Sequence, residues 1–339
     1  MRGSRDRVKK GSRGGDYEDR EELAVPSPFD FVSNYDATVR FIRTIPALTL
    51  NKERSVLLDF HEIQQVSVSA LLVLAAEIQR CRKYGATDRL DGTYPKDDRI
   101  ERMLESTGFF RLLGVRHRTR RAPRRYPVDY IPFISEQKAE GKDFVRLQRK
   151  LFGSTIKINP LASAKLYRGV TEAMANVVEH AYPSDAEIGD IPRLDRQWWL
   201  AGHIHRPRRQ LLISIFDQGV GIPKTLPKKL AIEHWRSFLE DVFKVQFSDG
   251  EMIRAAMTIG RTQTKEPYRG KGLIQMREIV TECKDASLHI LSLGGDYLFK
   301  SDGSEEVRKR DFTLGGTLIE WRVPLDSIVV DAKYLEEVT

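Results

Sequence analysis

A ten-residue segment near the middle of the chain, RHRTRRAPRR at residues 116–125, limits what the sequence can fold into. It holds six arginines and no acidic residue, and further prolines follow it up to Pro132. Charge runs of this kind are usually solvated, and proline interrupts regular elements. We therefore predict a boundary here between two folded halves, in a chain whose 339 residues are enough for about two domains.

The positive charge of the protein is concentrated in this segment and in the first residues. Residues 1–13 carry a local charge of +5 and the arginine segment one of +6, so the rest of a chain with net charge +8 is slightly acidic. Such segments can contact nucleic acid or an acidic protein, but a solvated linker is the favoured interpretation. We predict a basic, flexible tail over 1–26, an Arg-rich connecting segment over 116–150 and a C-terminal tail over 327–339.

Composition excludes several classes of protein. Apolar residues make up 40% and charged residues 31% of the chain, which is typical of a globular protein in solution. The longest apolar stretch, within 66–76, is far shorter than the roughly 20 residues of a membrane-spanning helix. The charged first 22 residues do not resemble a secretory signal. Cys81 and Cys283 indicate reduced thiols. We therefore predict a cytoplasmic protein with no membrane partner.

Strand and helix patterns alternate in the first half. Residues 55–60 (SVLLDF) have the length and apolar character of a buried strand. Apolar residues then recur at steps of three and four through 71–81, which indicates an amphipathic helix, and a further helix is predicted over 98–110.

Two stretches of this half, SVLLDFHEIQQVSVSALLVL and RMLESTGFFRLLGV, resemble STAS domains, the modules similar to antagonists of anti-sigma factors. The resemblance covers 27–115 and implies a mixed sheet with helices and a regulatory role. Ser69 lies near the phosphoacceptor serine of that family. The favoured interpretation of Ser69 is an ordinary residue at the start of a helix.

The second half predicts a layered α/β domain. An apolar stripe runs through 162–181 at helical spacing, and QLLISIF at 210–216 is an apolar strand that ends at an acid. A helix should begin near Gly272, and strands should follow near 287–293 and 316–323. Elements in this order require helices that cover one face of a sheet.

Two long connections are predicted between these elements. Residues 183–209 are expected to form an insertion whose tryptophans anchor it to the core. His203 and His205 in this stretch lack a nearby acid or thiol, which disfavours a metal site. Residues 224–269 are expected to form a long, polar lid with helical pieces.

Three motifs carry residues suited to nucleotide chemistry. EAMANVVEH places Glu172, Asn176 and His180 along one line of a helix, because they are four residues apart. An amide oxygen can ligate Mg²⁺, and a carboxylate can orient or deprotonate a nucleophile. In FDQGVGIP, Asp217 can accept a hydrogen bond from an exocyclic amine. YRGKGL places two glycines at the start of a helix, where free N–H groups attract anions.

Taken in this order, ExxxNxxxH, DxGxGIP, RGKGL and a final LGGTLIEW resemble the nucleotide-binding motifs of the GHKL superfamily, which is named after gyrase B, the heat-shock-90 chaperones, histidine kinases and MutL. The resemblance covers 151–326. It implies the Bergerat ATP-binding fold, a two-layer α/β sandwich, with ATP and Mg²⁺ as ligands. It also implies that Glu172 is the general base, that Asn176 is the Mg²⁺ ligand and that Asp217 reads the adenine amine.

The same resemblance assigns further residues to nucleotide binding. These are Gly219 and Gly221 after the acid, Gly270, Lys271 and Gly272 on the phosphate side, and Thr317 near adenine. His180 is interpreted as a structural histidine. The glycine motif departs from the fuller GxGLGL form, since Ile274 and Gln275 follow Leu273, and this leaves the phosphate contacts and lid movement open.

The motifs leave more than one function open. The leading interpretation is an ATP-binding regulatory protein that hydrolyses ATP or phosphorylates a protein serine to switch a partner protein. The alternatives are an ATP-gated, dimerising ATPase that acts on nucleic acid or another assembly, and an ATP-sensing module without turnover. A histidine kinase is disfavoured, because sensor histidine kinases commonly have Asn where Glu172 stands. Homodimer formation is also left open.

Overall fold

A computed structural model describes residues 20–115, 127–138, 157–183, 197–229, 248–259 and 272–330. These described residues divide into two compact units, the first ending at residue 115 and the second beginning at Pro127. The arginines of 116–125, together with Gly270 and Lys271, lie outside the described residues. Within the described part of the chain, no helix combines the length and the apolar character needed to cross a membrane.

The first unit contains a three-stranded parallel sheet and helices that connect its strands. The strands pair in the order β1 (Arg20–Ala24), β2 (Ser55–Asp59) and β3 (Leu90–Gly92). The helices are α1 (Tyr35–Pro46, followed by a π-helical turn Ala47–Asn51), α2 (Val68–Lys83), α3 (Asp98–Ser106) and α4 (Phe109–Leu113). Helical crossovers between strands are what parallel pairing requires.

The apolar pattern explains the core of this unit. Val56 and Leu58 alternate along β2 and are fully buried, as is Leu71 on α2. Ser67 begins α2, because its hydroxyl accepts a hydrogen bond from the backbone N–H of Ala70 at 3.2 Å. Ser69 is the second residue of the helix and is only 4% exposed, so the capping serine is Ser67.

The N-terminal boundary of the first unit differs from the prediction. Arg20–Ala24, which the sequence analysis assigns to the flexible tail of 1–26, forms strand β1 and pairs along the whole of β2. The sequence REELA has three charged residues in five and carries no apolar alternation. Backbone pairing with β2, rather than side-chain pattern, therefore defines this strand.

The sheet and the last helices of the first unit also differ from the prediction. The described strands are all parallel rather than mixed, because a helix connects each strand to its neighbour. The single helix predicted over 98–110 is two helices, separated at Gly108, which has φ +81°. A residue in this left-handed conformation cannot continue an α-helix.

The second unit is built on a seven-stranded sheet in which every neighbouring pair is antiparallel. Its spatial order is β4 (Val128–Glu136), β5 (Trp198–His205), β6 (Gln210–Asp217), β10 (Thr317–Pro324), β7 (Ser287–Ser292), β8 (Gly295–Lys300) and β9 (Glu305–Lys309). The helices are α5 (Pro160–Asn176, followed by a π-helical turn Val177–Ala181), α6 (Ile222–Lys229), α7 (Asp249–Ile259) and α8 (Gly272–Glu282). The α/β class is thus confirmed for both units.

Helices α5, α7 and α8 cover one face of this sheet. Alternate residues of the central strands, such as Ile213 on β6 and Trp321 on β10, pack into one core with Val170 of α5 and Met276 of α8. Trp321 donates its Nε1–H to the backbone carbonyl of Met276 at 2.8 Å. Trp199, Phe216 and other residues of the opposite face are also buried, so the central strands have buried residues on both sides.

The predicted insertion at 183–209 is wrong for its second part. Trp198–His205 is strand β5, which pairs with β6 over its full length. Trp198 and Trp199 point to opposite faces, and their side chains are 0% and 1% exposed. Because both faces of β5 are buried, its sequence lacks the polar–apolar alternation that would identify a half-buried strand.

Two predicted segment boundaries in this half are also wrong. The connecting segment 116–150 contains the edge strand β4, whose register shifts around Pro132. Proline is tolerated there because edge strands and bulges do not need every N–H group. The C-terminal tail predicted from residue 327 begins later, because Ile328 is 1% exposed and Val329 pairs with Ile158.

Candidate functional site

Helix α5 carries the first motif and has clear ends. The side chain of Asn159 accepts hydrogen bonds from the N–H groups of Leu161 (2.9 Å) and Ala162 (3.4 Å), and Pro160 occupies the first turn. Directly after Asn176 the helix widens into the π-helical turn. Such turns are frequent at functional sites.

The polar residues of α5 differ in their surroundings. Glu172 and Asn176 are both half-buried. The Nδ2 atom of Asn176 is buried without a hydrogen-bond partner among the described residues. An unpartnered buried amide is costly and calls for a specific explanation, such as a ligand. His180, beyond them, lies 3.6 Å from the carboxylate of Glu179.

Asp217, Thr317 and Ser292 form a row across three neighbouring strands. Thr317, the first residue of β10, is the register partner of Asp217 on β6 and of Ser292 on β7. Directly opposed residues have Cβ atoms about 4.5–5.5 Å apart and share a face. The alternation along β6 and β10 puts this row on the helix-covered face, where Asp217 and Thr317 are each 5% exposed and Ser292 is fully buried.

The loop after Asp217 packs against the end of α5. Asp217 Oδ1 accepts the backbone N–H of Gly219 at 2.7 Å. Val220 donates its N–H to the carbonyl of Ala181 at 2.8 Å, and a Cβ on Gly219 would lie only 2.3 Å from that same oxygen. The absence of a side chain at Gly219 therefore allows this contact with the end of α5, and the contact with a ligand stays a prediction.

Two other glycines allow similarly close approaches. Gly221 has φ +92°, and a Cβ there would lie 2.8 Å from the side chain of Leu293. Gly316 has φ +128°, and a Cβ there would lie 2.0 Å from the carbonyl oxygen of Asp217. Glycine is required at both positions, because side chains neither fit nor favour this backbone conformation. The backbone around Asp217 is therefore held closely from two sides.

Tyr182 is a site residue that the sequence analysis missed. Its hydroxyl donates to the carbonyl of Gln197 and accepts the N–H of Gln218, both at 2.9 Å. Tyr182 therefore connects the end of α5 with the start of β5 and with the loop that follows Asp217. Its position two residues after His180, the end of the first motif, is the only signal in the sequence.

Ser292 is a second site residue that was missed. Its Oγ accepts the N–H of Ile222 at 3.0 Å, donates to the carbonyl of Gly316 at 3.2 Å and lies 3.0 Å from Oγ1 of Thr317. One hydroxyl thus joins the start of α6, the start of β10 and the end of β7. The sequence shows only a serine at the end of an apolar strand.

Helix α8 runs antiparallel to α5, which decides where its first turn lies. Along α5, the partners on α8 are Glu282 for Lys165, Glu278 for Arg168 (3.2 Å) and Met276 for Gly169. As the residue number rises along α5, the number of the contacting residue on α8 falls. Continuing this alignment by one turn places Glu172 level with the first turn of α8, which begins at Gly272. Asn176, one turn further, lies level with the space beyond the start of α8.

The structure also describes part of the predicted lid and the histidines of the predicted insertion. Of the predicted lid at 224–269, the described residues are 224–229, which belong to α6, and 248–259, which are α7 and the serine before it. His203 packs against the ring of Tyr130, with ring centroids 5.7 Å apart, and burial lowers the pKa of its imidazole to about 4. No group of three or more His, Cys, Asp or Glu side chains is arranged as a metal site in the described ranges.

Comparison with known proteins adds no assignment, since no family model and no curated protein matches this chain. The resemblances to GHKL and STAS proteins stay predictions from the motifs. The contacts and burial of residues in the second unit are therefore the basis for assigning a function.

Proposed function

We propose that the second unit binds ATP with Mg²⁺, and that the chain is a regulatory protein that hydrolyses ATP or phosphorylates a protein serine to switch a partner. The observation that supports this most directly is the pairing of Asp217 with Thr317. The two residues are 100 positions apart in the sequence, yet they are opposed on the helix-covered face of the sheet. The loop that follows Asp217 contacts the end of α5, the helix of Glu172 and Asn176.

Asp217 and Thr317 form the base-binding end of the proposed site. A carboxylate offers about four acceptor positions, and one of those of Asp217 accepts the N–H of Gly219. An exocyclic amine can donate to such a group. The low exposure of both side chains makes an unmatched base costly, because a buried polar group without a partner is destabilising.

The first turn of α8 forms the phosphate end. Its backbone N–H groups have no partners within the helix, and the helix dipole adds positive potential at the same place. Gly272 begins this turn, level with Glu172 on α5 by the antiparallel alignment. Phosphate oxygens bound there would lie beside the carboxylate of Glu172.

Asn176 is the residue that would hold Mg²⁺. Its buried amide atom, unpartnered among the described residues, fits a missing ligand, since the oxygen and nitrogen of an amide can exchange places by rotation. Mg²⁺ in nucleotide sites usually takes only one or two protein ligands and completes its shell with phosphates and water. When bound, the ion neutralises phosphate charge.

Glu172 is the residue that would act on the nucleophile. Its carboxylate can orient a water molecule or a serine hydroxyl and accept the proton as that oxygen attacks. General-base catalysis of this kind contributes about 10²–10⁴-fold to a rate. The same arrangement serves hydrolysis and serine phosphorylation, since only the attacking hydroxyl differs.

Calorimetry with the full chain, ATP and Mg²⁺ tests the proposal. Asp217→Asn should weaken ATP binding by about 1.5–3 kcal/mol, or roughly ten- to hundredfold, because a charged acceptor is lost. Asp302→Asn is a matched control, because Asp302 also accepts the backbone N–H of the residue two positions on, Ser304 at 2.8 Å, and lies beyond the end of β8 that is remote from Ser292. Equal ATP affinity in folded Asp217→Asn and wild-type protein would refute the base-site assignment.

A second assay separates the two reactions. Protein incubated with γ-labelled ATP and Mg²⁺, with and without candidate partner proteins, yields either labelled phosphoserine or free phosphate. ATP binding without either product would identify the site as a sensor instead.

A further inference from the structure

We propose that Ser292 selects the nucleobase of the site by fixing the hydroxyl of Thr317 as a hydrogen-bond acceptor. This inference rests on the proposed function, because it concerns the base-binding end of the same site. Ser292 would then be a positioning residue, which acts on the base through Thr317. It is fully buried at the end of β7, behind Thr317 as seen from Asp217.

The hydrogen-bond inventory of Ser292 carries the inference. A serine hydroxyl has one proton to donate and two lone pairs that accept. Three polar groups lie within 3.2 Å of Ser292 Oγ: the N–H of Ile222, the carbonyl of Gly316 and the hydroxyl of Thr317. The N–H of Ile222 can only donate, and the carbonyl of Gly316 can only accept.

One arrangement of protons satisfies all three partners. Ser292 accepts from Ile222, donates its proton to Gly316, and accepts from Thr317 with its second lone pair. In the other arrangement Ser292 donates to Thr317, and the carbonyl of Gly316 keeps only a long contact of 3.4 Å to the N–H of Leu293. Burial favours the first arrangement, because it adds a second, shorter hydrogen bond to the carbonyl of Gly316 and so makes more hydrogen bonds among these groups.

The first arrangement determines what Thr317 presents to a base. Its only proton is directed to Ser292, so the side that faces away from Ser292 offers lone pairs alone. Asp217, on the opposite side of Thr317, is also an acceptor. Two neighbouring acceptors match the two protons of a 6-amino group. They repel the carbonyl oxygen that a 6-oxopurine carries at that position.

Inosine triphosphate is the probe, because it replaces the 6-amino group of ATP by a carbonyl oxygen and keeps the purine, ribose and triphosphate. The wild-type chain should bind ATP at least about tenfold more tightly than inosine triphosphate. In Ser292→Ala the hydroxyl of Thr317 can rotate and donate to the carbonyl. The ratio of the two affinities should then fall by about tenfold.

Tyr182→Phe is the matched control. It also removes a hydroxyl that accepts a backbone N–H next to the site, that of Gln218, but this hydroxyl bonds Gln218 and Gln197 rather than Thr317. It should weaken binding of both nucleotides equally and keep their ratio. Ser292→Thr, which retains a hydroxyl, should keep the wild-type ratio. In a Thr317→Val background, Ser292→Ala should leave the ratio unchanged, because no hydroxyl remains to be oriented.

The outcomes separate this inference from the proposed function. If wild-type protein binds neither nucleotide, the proposed function is refuted, and this inference with it. If it binds ATP, the inference alone is overturned by equal affinity for inosine triphosphate, or by an unchanged ratio in folded Ser292→Ala. If Ser292→Ala does not fold, Thr317→Val replaces it, because it removes the oriented hydroxyl itself; an unchanged ratio there overturns the inference, since Thr317 would then not contribute to the choice of base.

Discussion

Strands β2 and β6 each end in an aspartate, and the two strand ends differ in which group forms a hydrogen bond with the hydroxyl of the neighbouring threonine. In the first unit, Asp59 ends β2 and accepts the N–H of His61, two residues on, at 3.0 Å. In the second unit, Asp217 ends β6 and accepts the N–H of Gly219, also two residues on, at 2.7 Å. Each acid has a threonine on or beside a neighbouring strand. The local chemistry is therefore the same.

The threonines distinguish the two places. Thr93 donates its hydroxyl to Asp59 at 2.7 Å and accepts the N–H of Phe60 at 2.9 Å, so it joins the acid and its turn in one structural network. Thr317 lies next to Asp217, but its hydroxyl is 3.0 Å from Ser292, on the opposite side. The first arrangement stabilises a turn, and the second presents two acceptors side by side. Tertiary neighbours, rather than the strand-end motif, decide which of these forms.

The largest expected effect extends the comparison to the helices of the two units. Glu172→Ala should lower turnover by about 10²–10⁴-fold, because it removes the proposed general base, and should leave nucleotide affinity nearly unchanged. Glu77→Ala on α2 is the control, since Glu77 is a buried acid that pairs with Arg80. Glu77→Ala should destabilise the first unit and leave turnover per folded molecule unchanged. Phosphate release and thermal unfolding measure the two effects, and equal turnover in Glu172→Ala and wild type would break the comparison.

The two strand-end acids can be compared directly through Asp59→Asn. The substitution removes the charged acceptor of two hydrogen bonds, from His61 and Thr93. The free energy of unfolding of the first unit should therefore fall by about 1–3 kcal/mol. ATP affinity should stay at the wild-type value, in contrast to the loss expected for Asp217→Asn. Urea unfolding and calorimetry of the same preparations provide both numbers. If Asp59→Asn weakened ATP binding as much as Asp217→Asn does, the distinction between a structural and a binding acid would be wrong.

The last expected effect is a pH dependence that His203 gives to the stability of the second unit. Burial lowers the pKa of His203 to about 4, and its Nδ1 is buried without a hydrogen-bond partner within the described ranges. An unfolded histidine has a pKa near 6.5. At pH values between about 4 and 6.5 the unfolded chain therefore binds more protons than the folded one. The stability that His203 contributes is full above about pH 6.5 and is lost as the pH falls toward 4. The loss should be about 1–3 kcal/mol.

His203→Gln tests this expectation, because glutamine does not titrate. The unfolding free energy of the second unit, measured from pH 7 down to pH 4, should fall less steeply in the variant than in the wild type. Parallel curves over this range would show that His203 does not take up a proton on unfolding.

Much of the fold follows from the sequence where one face of an element is apolar. Helices α5 and α8 lie within a few residues of their predicted ranges, because their apolar residues recur at the helical period, and strand β6 was recognisable as a short, continuous apolar run. Strand β5 has neither signal, since burial on both faces removes the alternation while Gly202, His203 and His205 interrupt the apolar run. Strand β1 was hidden by its charged side chains, because backbone pairing with β2 is what holds it.

The site could be predicted in part for a similar reason. Motif residues such as Asp217 stand out because their neighbours in the sequence fix the turn around them. Ser292 forms hydrogen bonds with residues 24 to 70 positions away in the sequence. Tyr182 forms hydrogen bonds with residues 15 and 36 positions away. No local pattern encodes such contacts. The glycines show a further limit, because the motif draws attention to Gly219 but does not reveal that it packs against Ala181.

The position of β10 has a consequence for the order in which the protein is made. Among the described strands of the second unit this one comes last in the chain, yet it lies between β6 and β7 in the sheet. A nascent chain that has emerged only as far as Phe312 contains β4 to β6 and β7 to β9 as separate groups, and β6 and β7 each lack a neighbour. Thr317 arrives with the strand that joins the groups. The proposed nucleotide site is therefore complete only when β10 has joined the sheet, so that a ligand would bind the closed sheet and not the two separate groups of strands.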